Sequence, residues 1–282
     1  MRTVKVCYSI RDNIGDSINP LIIERIIGYK VQHAEWNECE TSGIGSGLRR
    51  FFMQKSEVFS SREGFYRKLM GVRAFQPCQL WSAGFICYCD KKEIPVRSNL
   101  KVASVRGALS KQRVEKILGK PLNCTLGDAG LLAAELLKEK TLKKYRLGII
   151  AHQREIGEKE WDYLHDTISN SIILDVTADP METLRKISEC ECIISSSLHG
   201  LIIADSFGIP NQRVILTDRL AGDGFKFDDY YSAFGIEPNP PINLRESIVI
   251  NIEKIEAGYQ IKSEWVERKK EECICSFSKY LP

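Results

Sequence analysis

The chain has 282 residues, 43% of them hydrophobic and 27% charged, with a formal charge of +3. That balance fits a globular protein long enough for two ordinary domains, and it is too weakly basic to favour nucleic acid as a partner. The start lacks the pattern of a secretion signal and no apolar run approaches bilayer length, so a cytoplasmic protein is expected.

Strand-like runs at 4–10, 80–85, 102–105, 124–126, 146–151, 172–176, 192–195 and 213–216 alternate with amphipathic stretches. The latter fall at 17–27, 109–118, 129–137, 158–168, 181–188 and 198–207. Such alternation predicts an α/β fold with parallel sheets covered by helices. The charged stretch 138–144 reads as a linker after which the pattern restarts. Two Rossmann-like domains are therefore expected, 1–138 and 139–282, with a cleft between them. Residues 247–278 read as a terminal helix, kinked at Gly258, that packs back across the boundary. Ten cysteines include the pairs Cys87/Cys89, Cys190/Cys192 and Cys273/Cys275. None has the spacing of a zinc knuckle, so they read as small apolar residues sharing a strand face.

The chemistry-bearing stretches lie at strand ends. The first turn carries Asn13-Ile14-Gly15-Asp16, where α/β proteins bind ligands, although Asp16 also suits a helix N-cap. Gly43-Ile44-Gly45-Ser46-Gly47 is a glycine-rich turn without the lysine of a P-loop. Segment 48–79 fits no strand or helix period well. It interleaves Arg49, Arg50, Lys55, Arg62, Arg67, Lys68 and Arg73 with Phe51, Phe52, Phe59, Phe65, Tyr66 and Phe75, against only Glu57 and Glu63. That mixture suits peripheral contact with an anionic membrane; the competing reading is an acceptor-side loop whose aromatics fold inward.

Further along, Trp81-Ser82-Ala83-Gly84-Phe85 and Val105-Arg106-Gly107 each set a strand against a glycine. Arg106 stands as a fixed cation for a carboxylate or phosphate. Gly127-Asp128 repeats the strand–turn–acid scheme, Asp128 being a cap as readily as a catalyst. His152 ends one apolar strand. Ser195-Ser196-Ser197-Leu198-His199-Gly200 ends another and opens a helix, so its amides and helix dipole favour an anion. His152 and His199 form a plausible acid–base pair near neutral pH, whereas His33 and His165 lack such context. Lys226 lies amid aromatics in Phe225-Lys226-Phe227 and suits an anionic ligand.

In this order, these motifs resemble the polysaccharide pyruvyl transferase family. The resemblance rests on the Asn-x-Gly-Asp turn, residues 43–47, 81–85, 105–110, 127–132, 148–152, 195–210 and 226–231. It implies a GT-B-like pair of Rossmann-like domains, with the acceptor on the first and the donor on the second. It also implies phosphoenolpyruvate as donor substrate, no cofactor or metal, and ketal formation on two hydroxyls of a sugar. The implied acceptor is galactose-containing and lipid-linked, at the inner face of a bacterial membrane. His199 and His152 would handle protons, and Asp16 or Asp128 the sugar hydroxyls. Asn13, Gly15, Ser46, Arg106, Ser196, Ser197, Gly200 and Lys226 would bind substrate. Family members often carry Arg before Leu-His-Gly. This chain has Ser197 there, leaving a donor-binding cation to Arg106, Arg219 or Lys226. Two other classes share the pattern: a GT-B glycosyltransferase using a nucleotide sugar, and a non-catalytic glycan-binding relative.

Overall fold

A computed structural model describes residues 1–10, 13–73, 76–139 and 141–281. Arg11 and Asp12 of the first turn, Phe75 of the basic segment and Lys140 of the linker lie outside the described residues.

The first half holds strands β1 (Thr3–Cys7), β2 (Lys30–His33), β3 (Thr41–Ser42), β4 (Phe52–Gln54) and β5 (Cys78–Leu80). It continues with β6 (Glu93–Pro95), β7 (Leu100–Val102), β8 (Ser104–Val105) and β9 (Thr125–Leu126). Its helices are α1 (Ile14–Ile22), α2 (Lys55–Ser60), α3 (Arg62–Arg73) and α4 (Ala108–Leu118). The second half holds β10 (Tyr145–Ile150), β11 (Ser171–Ile173), β12 (Cys190–Ser195), β13 (Asn211–Ile215) and β14 (Ile242–Asn243). Between and after these strands come α5 (Lys159–Thr167), α6 (Pro180–Ser188), α7 (Leu198–Ser206), α8 (Phe225–Ser232), α9 (Ile252–Gly258) and α10 (Ser263–Phe277).

Two five-stranded sheets result, ordered β2-β1-β3-β5-β7 and β11-β10-β12-β13-β14, and every pairing in them is parallel. The α/β architecture with parallel sheets is thus as the alternation predicts. In β1 the alternation is visible residue by residue: Val4 and Val6 are buried while Thr3 and Lys5 face out. Helix α1 starts where the Asp16 N–H donates to Asn13 Oδ1 at 3.2 Å, and Ile14, Ile18 and Ile22 bury one stripe at four-residue spacing. That stripe meets Leu184, Ile187 and Ile203 from the second half in a single apolar cluster. At about 1.5–3 kcal/mol per buried aliphatic side chain, this seam fixes the two sheets relative to each other. Helix α7 is buried on nearly all sides, as befits a helix wedged between layers.

Several expectations are corrected. The stretch 129–137 winds as 3₁₀ turns, and 17–27 begins earlier, at Ile14, and ends in a π-helical turn. The apparent strand 80–85 is Cys78–Leu80, because the chain then turns at Ser82, which holds φ +58° and donates its hydroxyl to the Gly127 carbonyl. The tail is two helices, α9 and α10, separated after Gly258. Helix α10 does return to the first half: Trp81 Nε1 donates to the Cys273 carbonyl at 3.0 Å, and Phe277 packs on the Trp81 ring. Of the three cysteine pairs only Cys190/Cys192 lies in a strand, both buried around the exposed Glu191. Cys190 and Cys192 enter different clusters, Cys273 is buried and Cys275 exposed on α10, and Cys87/Cys89 lie outside the strands.

Candidate active site

Each sheet reverses its winding once. The chain passes from β1 to β2 on one side and then to β3 on the other; likewise from β10 to β11 and then to β12. A doubly wound sheet opens a crevice at that reversal, beyond the carboxyl ends of its strands. At the first reversal stand Tyr8, Ser9, Asn13 and the glycine-rich turn Gly43-Ile44-Gly45-Ser46-Gly47. At the second stand His152, Gln153, Ser197 and His199. All of these line one cleft of about 350 Å³, together with Asp16 and Lys226. Asn13 Nδ2 donates to Asp16 Oδ2 at 2.6 Å and approaches Gln153 Oε1 at 3.5 Å, so the two reversals touch.

His199 sits at their junction. Its imidazole lies directly on Gly15, where an added Cβ would fall 1.9 Å from Nδ1. The glycine of the Asn-x-Gly-Asp turn is therefore a seat for the histidine of the other half. Nε2 of His199 is buried without a hydrogen-bond partner among the described residues. Desolvation, and then the positive charges of Lys226, Arg106 and His152, lower its pKa to about 3. The ring is neutral at physiological pH. Lys226 is pushed down to about 8 by burial and by Arg106 and Arg213. Both shifts come first from burial and then from neighbouring cations, and a bound anion would oppose them. His152 accepts the Arg154 N–H on Nδ1 at 3.2 Å.

Of the residues expected at the site, Asn13, Asp16, Ser46, His152, Ser197, His199 and Lys226 line the cleft, and Gly15 underlies it. Four do not line it. Arg106 is fully buried: Nε and Nη2 bond Asp229 Oδ2 at 2.9 Å, Nη1 donates to Ser46 Oγ at 2.8 Å, and the Phe85 carbonyl takes another N–H. It therefore holds Ser46 rather than facing a ligand. Gly84 permits this, since a Cβ there would lie 2.3 Å from the guanidinium carbon. Asp128 is a buried cap, accepting the Gly130 N–H at 2.9 Å, and burial raises its pKa to about 6. Ser196 is buried and accepts the His152 N–H at 2.9 Å, which ties the ends of β10 and β12. Gly200 packs on Ser195. Arg219, the other candidate cation, is ion-paired with Glu158.

Sequence reasoning missed four contributors. Arg50 lines the cleft and donates to Ser9 Oγ at 2.9 Å; Gln153 and Tyr8 line it as well. Asn19 is fully buried, bonding Gly15 O at 3.3 Å and the Ile44 N–H at 2.7 Å, and so links the first turn to the glycine-rich one. Its position one turn after Gly15 on α1 was the available signal. Among the described residues, no cluster of three or more His, Cys, Asp or Glu stands arranged to hold a metal ion.

Residues 77–211 match the model of the polysaccharide pyruvyl transferase family. That span, just under half of the chain, is what it shares with the family. The matched span includes Arg106, Asp128, His152 and His199, and excludes the Asn13–Asp16 turn, the glycine-rich turn and Lys226. Two relatives are similar. An uncharacterized protein of Acanthamoeba polyphaga mimivirus is 26% identical over 253 residues, covering 84% of this chain and 76% of that one. The succinoglycan biosynthesis protein ExoV of Rhizobium meliloti is 27% identical over 165 residues, covering 57% of this chain and 48% of ExoV. A crystal structure of an uncharacterized Klebsiella pneumoniae protein superposes with a TM-score of 0.46 at 13% identity, over 84% of this chain and 90% of that one.

Proposed function

We propose that this protein transfers the pyruvyl unit of phosphoenolpyruvate to two hydroxyls of one sugar, forming a cyclic ketal and releasing phosphate. The supporting observation is the unpaired imidazole of His199 in a cationic cleft at the meeting of two strand-end crevices. The donor is a small trianion. Its charge would offset Lys226 and raise the His199 pKa, so that the ring arrives at the reaction carrying a proton. Delivery of that proton to the methylene carbon makes the methyl group and an oxocarbenium-like centre. One sugar hydroxyl adds there and returns its proton to His199. Phosphate then leaves, the second hydroxyl closes the ring, and the second proton departs with phosphate. The start of α7, with Ser197 and its amides, suits the phosphoryl oxygens. Asp16, on the facing wall, suits a sugar hydroxyl.

ExoV's role in succinoglycan biosynthesis and the family match support a polysaccharide or lipid-linked oligosaccharide acceptor, for which galactose is the residue to try first. The first half then serves as acceptor side and the second as donor side, as in a GT-B arrangement. The test is phosphate release from phosphoenolpyruvate with a galactose-containing acceptor and no added metal. His199→Ala is expected to lower turnover by roughly a hundredfold or more, and His165→Ala to leave it nearly unchanged. Stabilisation by a nucleotide sugar, with none by phosphoenolpyruvate, would overturn the reading in favour of glycosyl transfer.

A further inference from the structure

Helix α3 is turned inside out. Its inward stripe at i, i+3, i+4 and i+7 is Gly64, Arg67, Lys68 and Gly71. Arg67 Nη2 donates to the Arg50 carbonyl at 2.8 Å and Lys68 Nζ to the Pro95 carbonyl at 2.6 Å. The two glycines let the helix lie against backbone, since a Cβ at either would come 2.1 Å from a carbonyl oxygen, of Glu57 or of Val96. The opposite stripe, Arg62, Phe65, Tyr66 and Leu69, faces out, with Phe65 64% exposed and Tyr66 60% exposed. Phe59, on the neighbouring α2, is 71% exposed. A helix that ties two half-buried cations to backbone carbonyls and presents its aromatics to water has an apolar face available to something outside the fold.

The rim of this face is basic. Lys55, Arg62, Lys91 and Lys92 are exposed around it, and the Lys55 N–H bonds the Lys92 carbonyl at 2.8 Å, which places that pair of lysines beside the start of α2. The acids are fewer. Glu57 is paired with Arg49 and Glu93 with Arg113, leaving Glu63 and Asp90 exposed. Aromatic and leucine side chains ringed by cations match the interface of an anionic bilayer, where rings insert at headgroup depth and the cations meet lipid phosphate. We infer that the α2–α3 hairpin docks on an anionic lipid surface. Docking requires no spanning segment, and among the described residues no helix is long and apolar enough to cross a membrane. The hairpin also adjoins the cleft: Arg67 grips the backbone of Arg50, and Arg49, Arg50 and Phe51 line the cleft wall. A surface-bound acceptor would thus enter from the docked side.

The inference stands apart from the proposed reaction and is tested without it. The full chain is sedimented with vesicles of phosphatidylcholine containing about one-third phosphatidylglycerol, and with phosphatidylcholine alone, at low ionic strength. Binding to the anionic vesicles is expected, falling at least severalfold in about 0.5 M salt, where charges more than a few ångströms apart are screened. Removing one rim cation weakens partitioning roughly fivefold. The variant Phe65→Ser/Tyr66→Ser is expected to lose binding while melting near the wild-type temperature, because both rings lie mostly in water. Arg62→Gln/Lys91→Gln/Lys92→Gln is expected to lose the salt-sensitive part alone. Absence of binding at low salt overturns the inference. So does a dimer by light scattering that the serine variant converts to monomer without any vesicle binding, since the face would then belong to a second copy of the chain.

Discussion

The His199 environment makes a quantitative prediction about proton uptake. With a pKa of about 3, the free protein holds essentially no proton on this ring at pH 6. A donor phosphate arriving about 4 Å from the imidazole contributes roughly 4 kcal/mol per unit charge at an effective dielectric of ~20, or about three pKa units. Allowing one net negative charge after Lys226 is neutralised, the His199 pKa in the complex becomes about 6. Binding at pH 6 is then accompanied by uptake of about half a proton, and at pH 8 by almost none. Calorimetric titration with phosphoenolpyruvate in buffers of different ionisation enthalpy reads this number as the slope of observed heat against buffer enthalpy. The donor phosphate itself titrates near pH 6, so the quantity of interest is the difference between wild type and His199→Gln. A slope that is the same in both proteins would refute the argument: the anion would then bind too far from His199 to charge it.

Two further outcomes follow from the packing. Gly15→Ala is expected to displace the His199 ring, lowering turnover about a hundredfold and stability by about 1–3 kcal/mol, as measured by phosphate release and urea denaturation; wild-type turnover would mean that the ring does not rest on Gly15. Asp205, wholly buried among Tyr230, Tyr259 and Asn211, has its pKa raised by burial to about 7. Because the folded state keeps this proton longer than the unfolded one, the contribution of Asp205 to stability is full below about pH 4 and is lost as pH rises towards 7, by an order of about 4 kcal/mol. Urea denaturation at pH 5 and pH 8 is expected to show a change between the two pH values that is more unfavourable in wild type than in Asp205→Asn; the same change in both would refute the role of Asp205.

The sequence by itself determined the α/β architecture and the strand-to-helix turns that line the cleft. Runs such as Val4 to Cys7 and Cys192 to Ser195 alternate with amphipathic stretches, and that local periodicity is enough to specify parallel sheets layered with helices. Turn chemistry did the same for the loops, since Asn13-Ile14-Gly15-Asp16 and the serine run before His199 announce strand-to-helix turns wherever they occur. Partnership is what sequence could not supply. Arg106 looked like a ligand-facing cation because nothing local shows Asp229, 123 residues later, closing a buried ion pair on it. Gly15 looked like a turn glycine, and only the approach of His199 from the other sheet reveals what its missing side chain admits. Segment 48–79 showed no clear period, and only the fold reveals the helix α3 within it, with Phe65 and Tyr66 turned outward. Periodicity is a property of neighbours along the chain. The site is made by groups more than a hundred residues apart, and only the packing of one sheet against the other brings them to the same cleft.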